Sequence, residues 1–229
     1  MKIAIMQPYL FPYIGYWQLI NVVDKFVIFD DVNFINKGFI NRNKILVKNK
    51  PHQFSLELVG ASQNKPINQI QIGNNSKKLL RTIEQSYKKS PCFNIVYQLI
   101  KEIFNHNEKN LSKFIGHSLK KISDFLDIDT MFIYSSDIKK NNDLRNQDKI
   151  INICQMLNVT HYINPINGKE LYNKKIFERN NIKLNFIKTN SFRYQQFNNQ
   201  FIPFLSIIDV MMFNNKKDTK TMLSKFKLI

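Results

Sequence analysis

The chain has 229 residues, of which 43% are hydrophobic and 13% aromatic, enough to bury one sizeable core and to exclude a disordered chain. The formal net charge is +17, but only five of the 34 basic residues are arginine, while 30 residues are asparagine and two are alanine, a bias typical of an AT-rich genome. Nucleic acid is therefore not an expected partner, and two cysteines are too few for a disulfide framework.

The beginning of the chain predicts a βαβ unit. Residues 2–6 form a short apolar run that ends at the turn signal Gln7-Pro8, which is typical of a buried strand. Apolar residues then recur on one side of a predicted helix over 13–23, and residues 26–29 form a second buried strand. Two strands joined by a helix in this way favour a parallel pair with a right-handed crossover.

The rest of the chain continues as an α/β pattern with one helical interruption. Strand-like pieces at 44–47 and 52–58 predict a hairpin, and residues 76–127 predict an insertion of three helices. The other predicted elements are strands at 131–134, 161–164 and 183–188 and helical stretches at 147–157, 201–213 and 219–225. We expect a single domain over residues 1–229 with an α/β fold, a Rossmann-like parallel sheet with an N-terminal βαβ unit and an inserted helical subdomain.

Two stretches bear on the location of the protein. The longest apolar run, residues 201–213, is interrupted by Pro203, Ser206 and Asp209 and is shorter than the roughly 20 residues that span a bilayer. The start of the chain turns polar at Gln7 and carries no Ala-x-Ala cleavage site. The sequence therefore predicts a cytoplasmic protein without membrane insertion; an oligomer is compatible with it.

Residues that follow the first two strands are the first candidates for a site, because ligands of parallel sheets bind beyond the carboxyl ends of the strands. After the first strand, residues 7–16 combine prolines, aromatics and one glycine. Packing explains the apolar members, whereas a preorganised pocket also explains the polar ones, since buried tyrosine hydroxyls need partners. The substrate-binding candidates in this loop are Gln7, Tyr9, Tyr13 and Tyr16.

The second strand ends at Asp30 and Asp31. Carboxylates at such a point can orient a sugar hydroxyl, accept a proton or cap the next turn. The run that follows offers a guanidinium for a phosphate or carboxylate. With this run, a binding role for the two aspartates becomes as well supported as a role in capping the turn. The substrate-binding candidates here are Asp30, Lys37, Asn41, Arg42 and Asn43, and Asn164 joins them from beyond a later strand.

Several single residues have two interpretations. His117 follows a helical pattern and points away from its apolar side, so it is either a solvent-side residue or a general base. The other histidines have no carboxylate or cysteine at ligand spacing, so no metal is expected. Asp209 sits in an apolar stretch, and burial would require partners for it.

The loop over residues 12–16 resembles the start of the first helix in nucleotidylyltransferases and pantothenate synthetases, where a His-x-Gly-His element stands. Tyr13 and Tyr16 occupy both histidine positions here. An uncharged phenol cannot supply the imidazolium that steadies a transferring phosphoryl group. The analogy therefore concerns the fold more than the chemistry.

A second resemblance extends over the whole chain. Residues 6–20 (MQPYLFPYIGYWQLI), 29–32, 41–43, 164–168 and 201–213 resemble the WbqC-like family, whose members lie among surface-polysaccharide synthesis genes. The resemblance implies a step on a nucleotide-linked sugar, with N-acyl transfer from an acyl-CoA co-substrate to an amino sugar as the reaction. His117 and Asp31 are then the catalytic candidates for accepting the amine proton. A nucleotidyltransferase-like enzyme and a non-enzymatic nucleotide-sugar binding protein remain as alternatives.

Overall fold

The computed structural model describes residues 1–197 and 200–229, and within these ranges it contains ten strands and eight α-helices. The strands are β1 (Lys2–Met6), β2 (Lys25–Ile28), β3 (Arg42–Val47), β4 (Lys50–Ser55), β5 (Leu58–Val59), β6 (Gln71–Ile72), β7 (Met131–Tyr134), β8 (His161–Pro165), β9 (Lys183–Thr189) and β10 (Phe226–Leu228). The helices are α1 (Ile14–Val22), α2 (Ser76–Tyr87), α3 (Phe93–Phe104), α4 (Leu111–Phe125), α5 (Asn146–Met156), α6 (Lys174–Arg179), α7 (Ile207–Phe213) and α8 (Lys216–Leu223).

Six of the strands form the central sheet, in the order β10-β9-β8-β1-β2-β7. β1 pairs in parallel with β2, where Met6 faces Ile28, and with β8, where Lys2 faces His161. β2 and β7 and also β8 and β9 are parallel pairs, whereas β10 runs antiparallel along β9. Counted in chain order, the five parallel strands lie as 3-2-1-4-5, the Rossmann arrangement, so the predicted fold class is confirmed.

The two faces of the sheet are covered by different helices, as the alternation of side chains along a strand requires. Ile3 and Ile5 of β1 pack with Ile153 of α5 and Phe177 of α6. Ala4 between them faces the opposite way, into the larger cluster that contains α1, α7, α8 and the three helices of the interval 76–127. Those three helices, α2 to α4, thus share one core with the βαβ unit that precedes them.

Two predicted elements differ from the structure. The strand predicted over 52–58 ends at Ser55, and residues 58–59 form β5, which pairs with the unpredicted β6. The helical stretch predicted over 201–213 is wrong in its first half, because α7 begins only at Ile207. Pro203 disfavours helix in the residue before it, and Phe204 has a φ of 59°, which an α-helix cannot accommodate. The hydroxyl of Ser206 then caps α7 by accepting a hydrogen bond from the Ile208 amide at 3.2 Å. Neither α6 nor β10 follows from the sequence pattern.

Asp209 on α7 is fully buried and paired, as its position in an apolar stretch requires. Its carboxylate accepts hydrogen bonds from the hydroxyls of Tyr87 at 2.7 Å and Tyr194 at 2.6 Å, and from the side-chain amide of Gln196 at 2.7 Å. The Tyr87 hydroxyl also accepts from the Leu46 amide at 2.8 Å. This network, which we call the Asp209 cluster, joins α7 to α2, to β3 and to the segment after β9.

Among residues 1–197 and 200–229, no helix is both long and apolar enough to cross a membrane.

Candidate functional site

The loop after β1 is held in place by side chains of the predicted site. Asn43 is buried, and its amide donates to the carbonyls of Leu10 at 3.2 Å and Phe11 at 2.6 Å. The buried hydroxyl of Tyr16 donates to the carbonyl of Gln7 at 2.9 Å. These contacts fix the backbone of the loop at the carboxyl end of β1, and they occupy the polar atoms of Asn43 and Tyr16. The Tyr16 hydroxyl therefore has no free hydrogen to offer a phosphoryl group.

Tyr9 and Tyr13 lie on the more open side of the same loop. The Tyr9 ring packs against Tyr16 and Phe39, with centroids 5.7 Å and 5.3 Å away, and burial raises the pKa of its hydroxyl well above the usual value. Tyr13 is half-buried and faces a cavity with an aromatic wall, where its ring lies 6.3 Å from that of Phe204. Both hydroxyls stay protonated near neutral pH, so they act as hydrogen-bond donors.

The predicted run after β2 forms a turn rather than a row of free side chains. The Arg42 Nε donates to the carbonyl of Gly38 at 2.7 Å, and the Asn41 amide donates to the carbonyl of Leu56 at 2.9 Å. Lys37 is exposed on this turn with a φ of 61°. The side chain of Arg42 is thereby used to hold the turn between β2 and β3.

The two carboxylates at the end of β2 face opposite sides of the sheet. Asp31 lines a cleft of about 990 Å³ on the face covered by α5 and α6, which we call the first cleft. Asp30 lines a cleft of about 970 Å³ between β7 and α4, which we call the second cleft. The end of β2 is thus a rim shared by both clefts, since successive side chains of an extended chain point to opposite faces.

In the first cleft, Asp31 forms an ion pair with Lys140 at 2.6 Å, and the Lys140 side chain is 1% exposed. Burial would raise the pKa of Asp31, but the hydrogen bond and charge of Lys140 outweigh it, so the pKa lies below its usual range. A carboxylate with a lowered pKa is a poor general base at neutral pH. The condition under which Asp31 would accept a proton, a pKa lifted by burial, is therefore not met.

Lys149 is the most unusual residue of the first cleft. It is 7% exposed, yet within the described ranges its ammonium makes no hydrogen bond and no short ion pair. The ammonium lies 5.6 Å from the centroid of the Phe29 ring, and its charge contributes to the lowered pKa of Asp31. Arg145 lines the same cleft just before the first residue of α5. A mostly buried lysine whose ammonium has no hydrogen-bond partner among residues 1–197 and 200–229, beside a helix N-terminus, favours an anionic ligand.

In the second cleft, Asp30 is buried and held by the loop after β7. Its carboxylate accepts from the Ser136 amide at 3.0 Å and from the Ser136 hydroxyl at 2.9 Å. Burial raises the pKa of Asp30, and these hydrogen bonds oppose the increase. Of the two neighbouring carboxylates, Asp30 rather than Asp31 therefore has the raised pKa.

His117 lines the second cleft together with Asp30 and Tyr134. Its ring stacks on that of His106 at a centroid distance of 3.8 Å. Burial, and then the charges of His106 and Lys121, lower the pKa of His117, so its imidazole is neutral at pH 7. Burial also raises the pKa of the Tyr134 hydroxyl to about 12, and this hydroxyl fits beside helix α4 only because residue 116 is glycine. The second cleft thus combines a neutral imidazole with a protonated phenol.

The structure does not gather all predicted residues in one cavity. Asp30 and His117 share the second cleft, Asp31 lines the first cleft, and Tyr13 faces the aromatic cavity. Asn164 is buried at the end of β8, where its amide donates to the Tyr162 hydroxyl at 2.6 Å and its oxygen packs against Gly168. The side chains of His117 and Asp31 therefore serve separate clefts on opposite faces of the sheet.

Sequence reasoning missed Lys140, Lys149 and Tyr134. Both lysines are indistinguishable by pattern from the other lysines of a basic chain, and only the fold brings them to the end of β2. Tyr134 ends a predicted strand, and the glycine at 116 that makes room for it lies on another element. Within the described ranges, histidine, cysteine, aspartate and glutamate side chains form no group of three or more that could hold a metal ion.

Comparison with known proteins gives a family but no activity. The chain is 25% identical over 215 residues to an uncharacterized protein of Mycobacterium tuberculosis, and the match covers 92% of each chain. No solved structure matches this chain. A model of the WbqC-like protein family matches residues 7–221, a span that contains the loop after β1, both carboxylates at the end of β2 and helix α7. The family resemblance drawn from the sequence is thereby confirmed, and the chain belongs to the WbqC-like protein family.

Proposed function

We propose that the protein is an enzyme of surface-glycan biosynthesis that acts on a nucleotide-activated amino sugar and transfers to its amine an acyl group from an acyl-CoA. The observation that supports it most directly is Lys149 in the first cleft, a mostly buried residue next to Arg145 and the start of α5 whose ammonium makes no hydrogen bond within the described part of the chain. Two cations at a helix N-terminus suit the diphosphate of a nucleotide sugar. The cleft also lies at the carboxyl edge of a Rossmann-type sheet, where such ligands bind.

The polar groups around the cations suit the sugar. Asp31, Asn33, Glu170 and Asn173 line the same cleft and offer acceptors and donors to hydroxyl groups. Asp31 acts here as a positioning residue, because its ion pair with Lys140 keeps it ionised and fixed. A sugar held at this rim can extend over the end of β2 toward Asp30 and His117 in the second cleft.

The reaction requires a base for the amine and a donor for the thioester oxygen. The neutral imidazole of His117 takes a proton from the substrate ammonium, and the free amine attacks the thioester carbonyl carbon. The C–N bond forms and the C–S bond breaks, the second proton of the nitrogen passes to the departing sulfur so that coenzyme A leaves as the thiol, and the His117 imidazolium returns its proton to solvent. The Tyr134 hydroxyl, with a pKa of about 12, stays protonated and donates a hydrogen bond to the developing oxyanion.

Binding of uridine diphosphate and of UDP-linked amino sugars by calorimetry tests the role of Lys149. Lys149→Met keeps the apolar stem and removes the charge, and we expect about 10- to 100-fold weaker binding from the loss of one charge-assisted contact. Lys217→Met on α8 is the matched control, since it removes the same charge from an exposed position. Equal affinity of the Lys149 and Lys217 variants would contradict the assignment.

Release of free thiol from acyl-CoA with an amino-sugar nucleotide tests the reaction itself. Thiol release that depends on both substrates and on His117 supports acyl transfer. Tight binding of nucleotide sugars without thiol release from any acyl-CoA would instead leave a binding protein without this activity.

A further inference from the structure

A third cavity, of about 490 Å³, lies on the α1 face of the sheet, between the end of β9, the loop after β1 and the segment that leads into α7. Aromatic rings form a large part of its wall. The rings of Tyr13, Phe192, Tyr194, Phe201 and Phe204 line it, and Arg193 lies at its edge. We call it the aromatic cavity.

Phe204 is presented at this cavity in an unusual way. The residue is 78% exposed, although a phenyl ring gains from burial, and its φ of 59° is one that L residues rarely adopt. Its ring meets Tyr13 edge-on, with 6.3 Å between the centroids and 69° between the planes. Backbone strain of this kind concentrates where a protein clamps a ligand. The strained backbone thus holds the exposed ring of Phe204 in the open part of the cavity.

The opposite walls are rigid. A Cβ at Gly15 would lie 2.5 Å from the Tyr13 ring and 2.7 Å from the Thr189 hydroxyl, so the glycine lets that ring pack against the start of α1. The Tyr194 hydroxyl is tied to the buried carboxylate of Asp209. The positions of both rings are thus fixed before any ligand arrives, which reduces the entropy lost on binding.

Arg193 adds a positive charge to the aromatic cavity, which favours an anionic ligand over a purely apolar one. It is exposed, and its guanidinium makes no hydrogen bond or ion pair among residues 1–197 and 200–229. Asn190 and Ser191 add amide and hydroxyl groups at the end of β9. Aromatic faces with a neighbouring guanidinium and a few polar groups match a planar base that carries a phosphate.

We infer that the aromatic cavity binds a nucleotide, with its base against Phe204 and Tyr13 and a phosphate on Arg193. Assigning this nucleotide to the acyl donor, as the adenosine 3′,5′-bisphosphate end of coenzyme A, rests on the proposed function. The aromatic cavity and the second cleft lie on the same face of the sheet. The ends of β9 and β2 are three strand spacings apart, roughly 14 Å. An extended pantetheine arm bridges this gap across the loop after β1 and delivers its thioester to His117.

Calorimetric titration of the full chain with adenosine 3′,5′-bisphosphate tests the inference. Phe204→Leu keeps an apolar side chain but removes the ring, and we expect about 5- to 100-fold weaker binding, the range for base–aromatic stacking. Arg193→Gln is expected to weaken adenosine 3′,5′-bisphosphate about 10-fold while leaving adenosine unchanged. Arg81→Gln, which removes an exposed arginine from α2, is the control for net charge.

Each result decides between the alternatives. The nucleotide site is overturned if Phe204→Leu leaves the affinity for both adenosine 3′,5′-bisphosphate and uridine diphosphate unchanged, or if neither nucleotide binds. Phe204-dependent binding of uridine diphosphate alone overturns the assignment to the acyl donor. Because Lys149→Met and thiol release test the proposed function separately, Phe204-dependent binding of adenosine 3′,5′-bisphosphate without thiol release would preserve the nucleotide site and reject only the reaction.

Discussion

Replacing Tyr87 with phenylalanine removes a single oxygen from the Asp209 cluster. That oxygen accepts from the Leu46 amide at 2.8 Å and donates to the Asp209 carboxylate at 2.7 Å. Tyr87 and Asp209 are both fully buried, so water cannot replace either contact. The substitution therefore leaves one buried donor and one carboxylate oxygen without their partner.

The two losses can be added because they concern different groups. A buried amide that loses its partner costs about 1–3 kcal/mol, and a hydrogen bond to a charged group is worth about 1.5–3 kcal/mol. We expect Tyr87→Phe to lower the free energy of unfolding by roughly 2.5–6 kcal/mol, a large fraction of the roughly 5–15 kcal/mol of a typical domain. Tyr194→Phe should cost less, about 1.5–3 kcal/mol, because Gln196 still donates to the same carboxylate oxygen.

Urea unfolding followed by circular dichroism measures these differences, with the midpoint shifting at constant slope. Tyr97→Phe is the matched control, since its hydroxyl makes a long, exposed contact of 3.4 Å to Glu84, and it should change stability by less than about 0.5 kcal/mol. A loss below about 1 kcal/mol in Tyr87→Phe would refute the reasoning, because the network would then contribute no more than a surface contact.

Two further predictions concern the second cleft. Gly116→Ala places a methyl group against the Tyr134 hydroxyl, and we expect urea unfolding to show about 1–3 kcal/mol of destabilisation. Adding Tyr134→Phe should recover most of this loss. If it recovers none, another contact limits the size of residue 116. If His117 is the base, kcat/KM should fall as the pH falls through its pKa, which burial and then the charge of His106 hold below 6.5, and His106→Asn should move this limb to higher pH. A limb centred above pH 7 would exclude His117.

The fold was largely predictable because its strands are short runs of buried residues that differ sharply from their surroundings. β1, β2 and β7 are all within a residue of the predicted bounds. β10 could not be predicted, because Phe226–Leu228 is three residues long and is defined by pairing with β9. The start of α7 was misplaced because apolar character continues through 201–206, while Phe204 adopts a backbone angle that composition does not reveal.

The sequence predicts a candidate site at the end of β2 but not the contacts that its residues make. The end of β2 was identified, yet a sequence cannot tell which of two adjacent carboxylates meets Lys140 and which meets Ser136. Those partners lie more than a hundred positions further along the chain, so the opposite pKa shifts of Asp30 and Asp31 exist only in the folded protein. The sequence predicts Asn43 and Tyr16 as substrate-binding residues, whereas in the structure their polar atoms bind the backbone of the loop after β1.

The order of the strands in the sheet determines how long β1 lacks a partner strand during synthesis. The strand at the centre of the sheet is made first, and its residue Lys2 pairs with His161. At about 5–20 residues per second a ribosome needs roughly ten to thirty seconds to reach β8, and until then one edge of β1 has no partner. During that interval a very apolar βαβ unit is exposed to other nascent chains. Slower translation after β2 lengthens that exposure and should therefore lower the yield of folded protein when it is overproduced.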